Sequence, residues 1–436
     1  NIYIKDKGLT DIHYQDITWA RKQLSTNSMG RKPSKIEDVL TPGDIIRVYQ
    51  DASGQWQLAQ LPEAEGALIA VSPDTGAITA LNGGFEYYNS KFNRVTQSRR
   101  QPGSGFKPFI YSAALEKGYT PATMINDAPV VLDDPNLDNV WRPSNYSGKF
   151  FGPTRLREAL THSRNLVSIR LLRDIGPNFA IDYAARFGFD IDQMPHNLSL
   201  ALGSGSAAPW DMARAYSALA NGGYRVEPFL IQRIEDVDGN VIMQAQPETV
   251  CEHCMGDDDA PENITHSNQT ITAKRIITPQ NAYIMNSLLR DVVRYGTGKQ
   301  AMKIGRQDLA GKTGTTNDQV DAWFNGFSPN LVAISWVGFD APRSLGRYET
   351  GGRAALPMWI SFMEQALKGV PEQPLIQPSD MVTVNIDPDT GLLARPGAIN
   401  AIPETFRSES VPKQYGSGYD AVTPDGEHQE PLIDLF

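Results

Sequence analysis

The stretch "VDAWFNGFSPNLVAISWVGFD", Val320 to Asp340, sets two apolar runs around Ser328-Pro329-Asn330. Runs rich in Trp, Phe, Val and Ile on either side of a turn tripeptide predict an antiparallel hairpin. A second hairpin is read far upstream in "ALIAVSPDTGAITALNGG", Ala67 to Gly84, turning at Pro73-Asp74-Thr75-Gly76. Between them, from Ser104 to about Leu289, the pattern becomes mostly helical. "TRLREALTHS", "NLVSIRLLRDIG", "PWDMARAYSALANGG" and "PQNAYIMNSLLRDVVRYG" each repeat apolar residues at spacings of three and four, and several stop at glycine. A last helix, "PMWISFMEQALKG", runs from Pro357 to Gly369. Strands at both ends of a helical block predict one mainly antiparallel sheet with a helical lobe inserted between its strands. The cleft between sheet and lobe is the expected place for a site.

Working outward, residues 1–61 read as a small β-rich unit, with "GDIIRVYQDASGQWQLAQL" forming two strands joined at Ala52-Ser53-Gly54. Residues 62–370 carry the sheet and lobe, and residues 371–436 form a C-terminal extension rich in Pro, Gly and acidic residues. Within it "VTVNIDPDTGLLARPG" repeats the Asp-Pro hairpin turn, and "KQYGSGYDAVTPDGEHQEPL" is expected to be a loosely ordered, solvated appendage.

The 436 residues suit two to three domains, and 40% apolar with 21% charged content is that of an ordinary globular chain. A net charge of −10 argues against nucleic acid as a partner, and no long apolar run is available to span a membrane. The chain starts at Asn1 without an initiator Met and reads as a fragment, which leaves open an anchor or targeting segment beyond it. Its two cysteines, Cys251 and Cys254, lie in a polar loop with His253 and His266; a disulfide, free thiols and a zinc site are all open readings, though zinc sites usually add a second ligand pair.

Chemistry enters with "RRQPGSGFKPFIYSAALEKG", Arg99 to Gly118. Pro102 and Gly103 precede Ser104 at the mouth of an apolar helix, and Lys107 follows three residues later on the same face. A lysine shielded among Phe106, Phe109 and Ile110, beside a helix N-terminus, loses its proton more easily. Within hydrogen-bond range, its neutral amine could take the Ser104 proton and leave a nucleophile. Alone the pattern proves little, since Ser-x-x-Lys recurs as Ser410 to Lys413, and a capping serine with a solvated lysine is the ordinary alternative. Downstream, Ser163-Arg164-Asn165 stands at a helix junction, where a hydroxyl and an amide could relay a proton and hold a carbonyl. Ser-x-Asn also occurs at Ser25 and Ser328. Lys312-Thr313-Gly314-Thr315 occurs once, at the start of the return strand. There two threonine hydroxyls share a face, Gly314 permits close approach to the backbone, and Lys312 adds charge, a set suited to a carboxylate.

In this order the three motifs resemble those of penicillin-binding proteins and serine β-lactamases. The likeness to the transpeptidase part of the class A, 1a-type penicillin-binding proteins extends over about residues 64–370, through "RQPGSGFKPFIYSAAL", "LREALTHSRNL", "LALGSGSAAPWDMARAYSALANGG" and "AGKTGTTND". The resemblance implies an α+β fold, a mainly antiparallel five-stranded sheet flanked by helices with a large helical lobe, plus a small OB-like β domain at residues 1–61. It implies peptidoglycan D,D-transpeptidase activity, with Ser104 as nucleophile, Lys107 as base, Ser163 as proton shuttle and Asn165 orienting the substrate amide. Lys312, Thr313 and Thr315 would bind the substrate carboxylate, with Gly314 among the substrate-binding residues, and the N–H groups of Ser104 and Thr315 would form the oxyanion hole. Tyr348 would wall the cleft, against the plainer reading of an exposed loop tyrosine.

The resemblance further implies no cofactor or metal, and stem peptides as substrate. β-Lactams would be covalent inhibitors, and an outer-membrane lipoprotein activator or cell-wall elongation proteins would be partners. The expected place is the periplasmic face of the inner membrane, with a glycosyltransferase domain elsewhere in the full-length protein. Gly105 departs from the Ser, Thr or Asn frequent there, and Arg164 fills a variable position. Two other readings stand beside this one: a serine β-lactamase, for which Glu158 is the only acid close to a motif, and a sensor or scaffold that does not cross-link.

Overall fold

The computed structural model describes residues 1–131, 141–250 and 271–416. Five strands form the central sheet: β1 (Glu65–Val71), β2 (Ile78–Asn82), β3 (Ala310–Thr315), β4 (Asp321–Ser328) and β5 (Leu331–Gly338). All neighbours are antiparallel and the spatial order is β3-β4-β5-β1-β2. Both hairpins thus meet in one sheet: β5 pairs with β1 although the lobe separates them in the chain.

The near-continuous apolar character of β4 and β5 has a direct cause, because both faces of the sheet are covered. Trp323, Phe327, Val332 and Ile334 point into the core shared with the lobe, while Ala322, Phe324, Leu331 and Ala333 point into a second core on the opposite face. That second core is closed by helix α7 (Leu356–Ala366), whose Leu356, Trp359 and Met363 are buried. Trp359 also donates to Ala333 O at 2.9 Å, and truncating such a residue costs about 3–5 kcal/mol.

On the lobe side lie α1 (Lys107–Glu116), α2 (Leu156–Thr161), α3 (Asn165–Ile175), α4 (Pro177–Arg186), α5 (Pro209–Ala220) and α6 (Pro279–Arg294). Prolines open α4, α5 and α6, where the missing N–H would be unsatisfied in any case. Helix α1 is buried along all but its last residue. The block is less uniformly helical than its periodicity suggests: Met124–Asp127 pairs with Gly152–Arg155, and a ribbon of Arg233–Glu235 with Val241–Gln244 stands between α5 and α6. Both are short strands without helical spacing, too brief to register against the long helices around them.

Residues 1–61 form short antiparallel pairs, including Arg47–Gln50 with Trp56–Ala59, around their own small core of Ile12, Ile17 and Leu58. In the C-terminal extension the turn at Asp387–Gly391 forms, with Gly391 N–H donating to Asp387 O at 2.9 Å. The segment just after this turn bridges back only at Ile386–Leu393, and the full ladder partner of Met381–Ile386 is Ile402–Arg407. Pro396 and Gly397 interrupt the nearer segment. The farther strand carries Glu404, buried against Arg157 at 2.7 Å, and Arg157 also takes Asp291 at 2.7 Å. Most of the expected appendage, and the loop with Cys251, His253, Cys254 and His266, lie outside the described residues.

Candidate active site

Ser104 sits in a single 3-10 turn, Gly103–Phe106, that runs straight into α1. Phe109, one turn into the helix, meets Phe187, Phe189 and Tyr216 edge to face at 5.0, 4.9 and 5.6 Å. These apolar contacts bury the base of the helix and take Lys107 with it, leaving it 0% exposed. The preceding loop is fastened to the sheet by Arg100 on Asp321 at 2.8 Å and by Trp323 Nε1 donating to Gln101 O at 2.9 Å.

Two glycines let the serine turn lie directly on β3. Gly103 has φ +54, and a Cβ there would fall 2.5 Å from Thr315 O. A Cβ on Gly314 would fall 2.3 Å from Pro102 O. The missing side chain of Gly314 thus makes room for the protein's own serine turn.

Ser163 lies between α2 and α3 with φ +56, a conformation that costs a non-glycine residue about 1–2 kcal/mol. The turn presents both its carbonyl and its hydroxyl to the lysines. Lys107 Nζ donates to Ser163 O at 2.9 Å, to Asn165 Oδ1 at 2.7 Å and, more weakly, to Ser163 Oγ at 3.4 Å. Lys312 Nζ donates to the same hydroxyl at 2.9 Å and to Thr313 O at 3.0 Å. The expected Lys107–Ser104 bond is not formed: the amine is drawn to the two stronger acceptors, and among the described residues Ser104 Oγ has no hydrogen-bond partner.

Burial and crowding set the charge of these amines. Lys107 lies well below the usual lysine range, first because it is desolvated and then because Lys312 faces it, with Asp127 opposing the shift. Lys312 is also 0% exposed, and desolvation brings it down to about 7. Desolvation and the facing amine thus favour the neutral, proton-accepting form of Lys107, Lys312 lies close to its titration point near neutral pH, and one hydroxyl bridges the two.

On β3, Thr313 Oγ1 contacts Thr297 Oγ1 at 2.6 Å, and Thr315 Oγ1 accepts from Gly351 N–H at 3.0 Å. Thr297 escaped the sequence reading; "YGTGK" after α6 carried no signal beyond a helix stop. Tyr348 sits half exposed in a loop with φ +71, its ring under Arg347. Glu158 pairs with His162 at 2.9 Å on the exposed side of α2, as an ordinary surface acid. Among the described residues no three or more His, Cys, Asp or Glu side chains converge as they would to hold a metal ion.

Residues 66–343 match the model of the penicillin-binding protein transpeptidase domain, and residues 1–64 that of the penicillin-binding protein OB-like domain. The chain is 45% identical to penicillin-binding protein 1A of Pseudomonas aeruginosa, over 99% of this chain and 56% of that protein. It is 40% identical to penicillin-binding protein 1A of Vibrio cholerae, over 95% and 54%. It thus spans about half the length of the curated relatives it matches. The structure is similar to that of penicillin-binding protein 1A from Haemophilus influenzae, with TM-score 0.80 and 39% identity over 85% of this chain and 57% of that one. It also resembles PonA1 of Mycobacterium tuberculosis in complex with penicillin V, with TM-score 0.59 and 26% identity over 74% of this chain and 82% of that one.

Proposed function

This chain belongs to the penicillin-binding protein transpeptidase family, and from that premise we propose that it cross-links peptidoglycan stem peptides through an acyl-enzyme on Ser104. Ser104 attacks the penultimate D-Ala carbonyl, Lys107 takes the hydroxyl proton, and Ser163 passes a proton to the departing terminal D-Ala. An amine of a neighbouring stem peptide then opens the ester, forming the cross-link and freeing Ser104. Asn165 orients the substrate amide. Lys312, Thr313 and Thr315 hold the terminal carboxylate, and Tyr348 walls the cleft. The backbone N–H groups of Ser104 and Thr315 receive the oxyanion, where one such donor contributes about 3–4 kcal/mol.

The observation that carries this reading is the Ser163 hydroxyl bridging two buried amines, Lys312 at 2.9 Å and Lys107 at 3.4 Å, beside the turn that bears Ser104. Water in place of the amine gives a D,D-carboxypeptidase side reaction. A β-lactam opens on the same serine but keeps its leaving nitrogen tethered; the PonA1 complex with penicillin V supports such binding here. The rest of the reading follows the family. The place is the periplasmic face of the inner membrane, with a glycosyltransferase domain elsewhere in the full-length protein. An outer-membrane lipoprotein activator or cell-wall elongation proteins are its partners.

Mass spectrometry after incubation with labelled penicillin tests the assignment. The adduct is expected on the peptide containing Ser104 and absent from Ser104→Ala. Covalent label on Ser104→Ala would overturn it, and rapid release of label would favour β-lactamase chemistry instead.

A further inference from the structure

Asn165 is gripped twice by one short segment of chain. Its backbone N–H donates to Asn145 Oδ1 at 2.8 Å, and its side-chain Nδ2 donates to Ser144 O at 2.9 Å. The second bond decides which end of the amide faces Lys107. With Nδ2 committed to a carbonyl, Oδ1 is the end that accepts from Nζ at 2.7 Å. Asn145 is the pivot. Its side chain is buried, and Nδ2 donates to both carboxylate oxygens of Asp127, at 2.8 and 2.9 Å, and to Lys149 O at 2.9 Å. Asp127 is 0% exposed and has no salt-bridge partner among the described residues.

A neutral primary amine has two N–H bonds and one lone pair. Asn165 Oδ1 and Ser163 O supply two acceptors at short range, enough to take both hydrogens of Lys107 and leave the lone pair in a fixed direction. Losing either acceptor would let the amine rotate and spoil that aim.

We propose that Asn145 and Asp127 are positioning residues of this site: Asp127 anchors Asn145, Asn145 sets Asn165, and Asn165 orients the Lys107 amine toward the serine it deprotonates. The inference rests on the Ser104–Lys107 reading above. Asp127 has a second consequence through space. The charged groups acting on Lys107 are Lys312 on β3, which disfavours its proton, and Asp127 at the end of Met124–Asp127, which favours it. Neutralising Asp127 removes this favourable charge, so Lys107 should lose its proton at lower pH.

The test is the second-order rate of acylation by labelled penicillin on this chain, from about pH 5 to about pH 9. Thermal melts of each variant establish that it is folded. Asp127→Asn keeps the size and an acceptor for Asn145. Its acidic limb is expected to move down by on the order of one pH unit. Asn145→Ala is expected to lower the rate about tenfold or more at every pH. A folded Asp127→Asn with an unmoved limb overturns the electrostatic half, and a folded Asn145→Ala acylating at the wild-type rate overturns the positioning half. If Asn145→Ala does not fold, the Asp127→Asn profile decides alone. Label that misses Ser104 in the unaltered protein would instead sink the underlying reading.

Discussion

The spacing Ser-x-x-Lys occurs twice in this molecule, and the two copies share nothing beyond it. At Ser104 the turn continues into a ten-residue helix, so both side chains fall on one face and Lys107 is buried. At Ser410 a short 3-10 turn ends, Pro412 intervenes, and Lys413 is exposed. A spacing becomes a site only when a helix converts it into proximity and packing removes the lysine from water.

The sharpest way to break this contrast is to exchange the serines. Ser104→Ala should lower covalent labelling by more than about a thousandfold, while Ser410→Ala should leave it unchanged in the same assay. Equal losses would mean that burial is not what separates the copies. The lysines come next. Lys107→Met should slow acylation by about 10²–10⁴-fold, and Lys413→Met should not. Because a buried amine is costly, Lys107→Met should also raise the thermal midpoint by about 2–4 °C.

Smaller effects probe the packing behind the contrast. Gly314→Ala places a methyl 2.3 Å from the Pro102 carbonyl, so it should destabilise by about 1–3 kcal/mol and slow acylation, read by melting and labelling. The pH profile has a defined sign. Lys312 is charged below about 7 and loses that charge as pH rises, so acylation by a carboxylate-bearing penicillin should fall at alkaline pH. The methyl ester of the same penicillin should lack that descending limb, and matching limbs would remove Lys312 from carboxylate binding. The smallest expected effect on activity belongs to Glu404→Ala. It leaves Arg157 short of a buried partner and should cost about 3–5 kcal/mol, while folded protein keeps its acylation rate.

Much of the frame was legible because it is written in local pattern. The apolar runs of β4 and β5, the Pro73–Gly76 turn of β1 and β2, and the three-and-four spacing of the long helices each encode burial on a predictable face. Other residues gave no signal. Asn145, Asp127 and Thr297 are ordinary polar residues whose partners lie many positions away, so nothing in their neighbourhood distinguishes them from a loop. Gly314 was legible as a place of close approach, but the contact with Pro102 that also requires it was not. The extension's turn was readable, whereas its ladder partner depended on Glu404 finding Arg157 across the chain.

Taken alone, the order of residues determined which segments are strands and helices, that Ser104 opens a helix, and that Lys107 follows on its face. It could not determine where the lysine's hydrogens go, since that depends on Ser163 and Asn165, 56 and 58 residues away, and on β3, which lies farther still along the chain. Helical periodicity is a property of neighbours in the chain, and sequence carries it directly. The charge on a buried amine depends on desolvation and on whatever charges lie beside it in space, and only the folded chain brings those together.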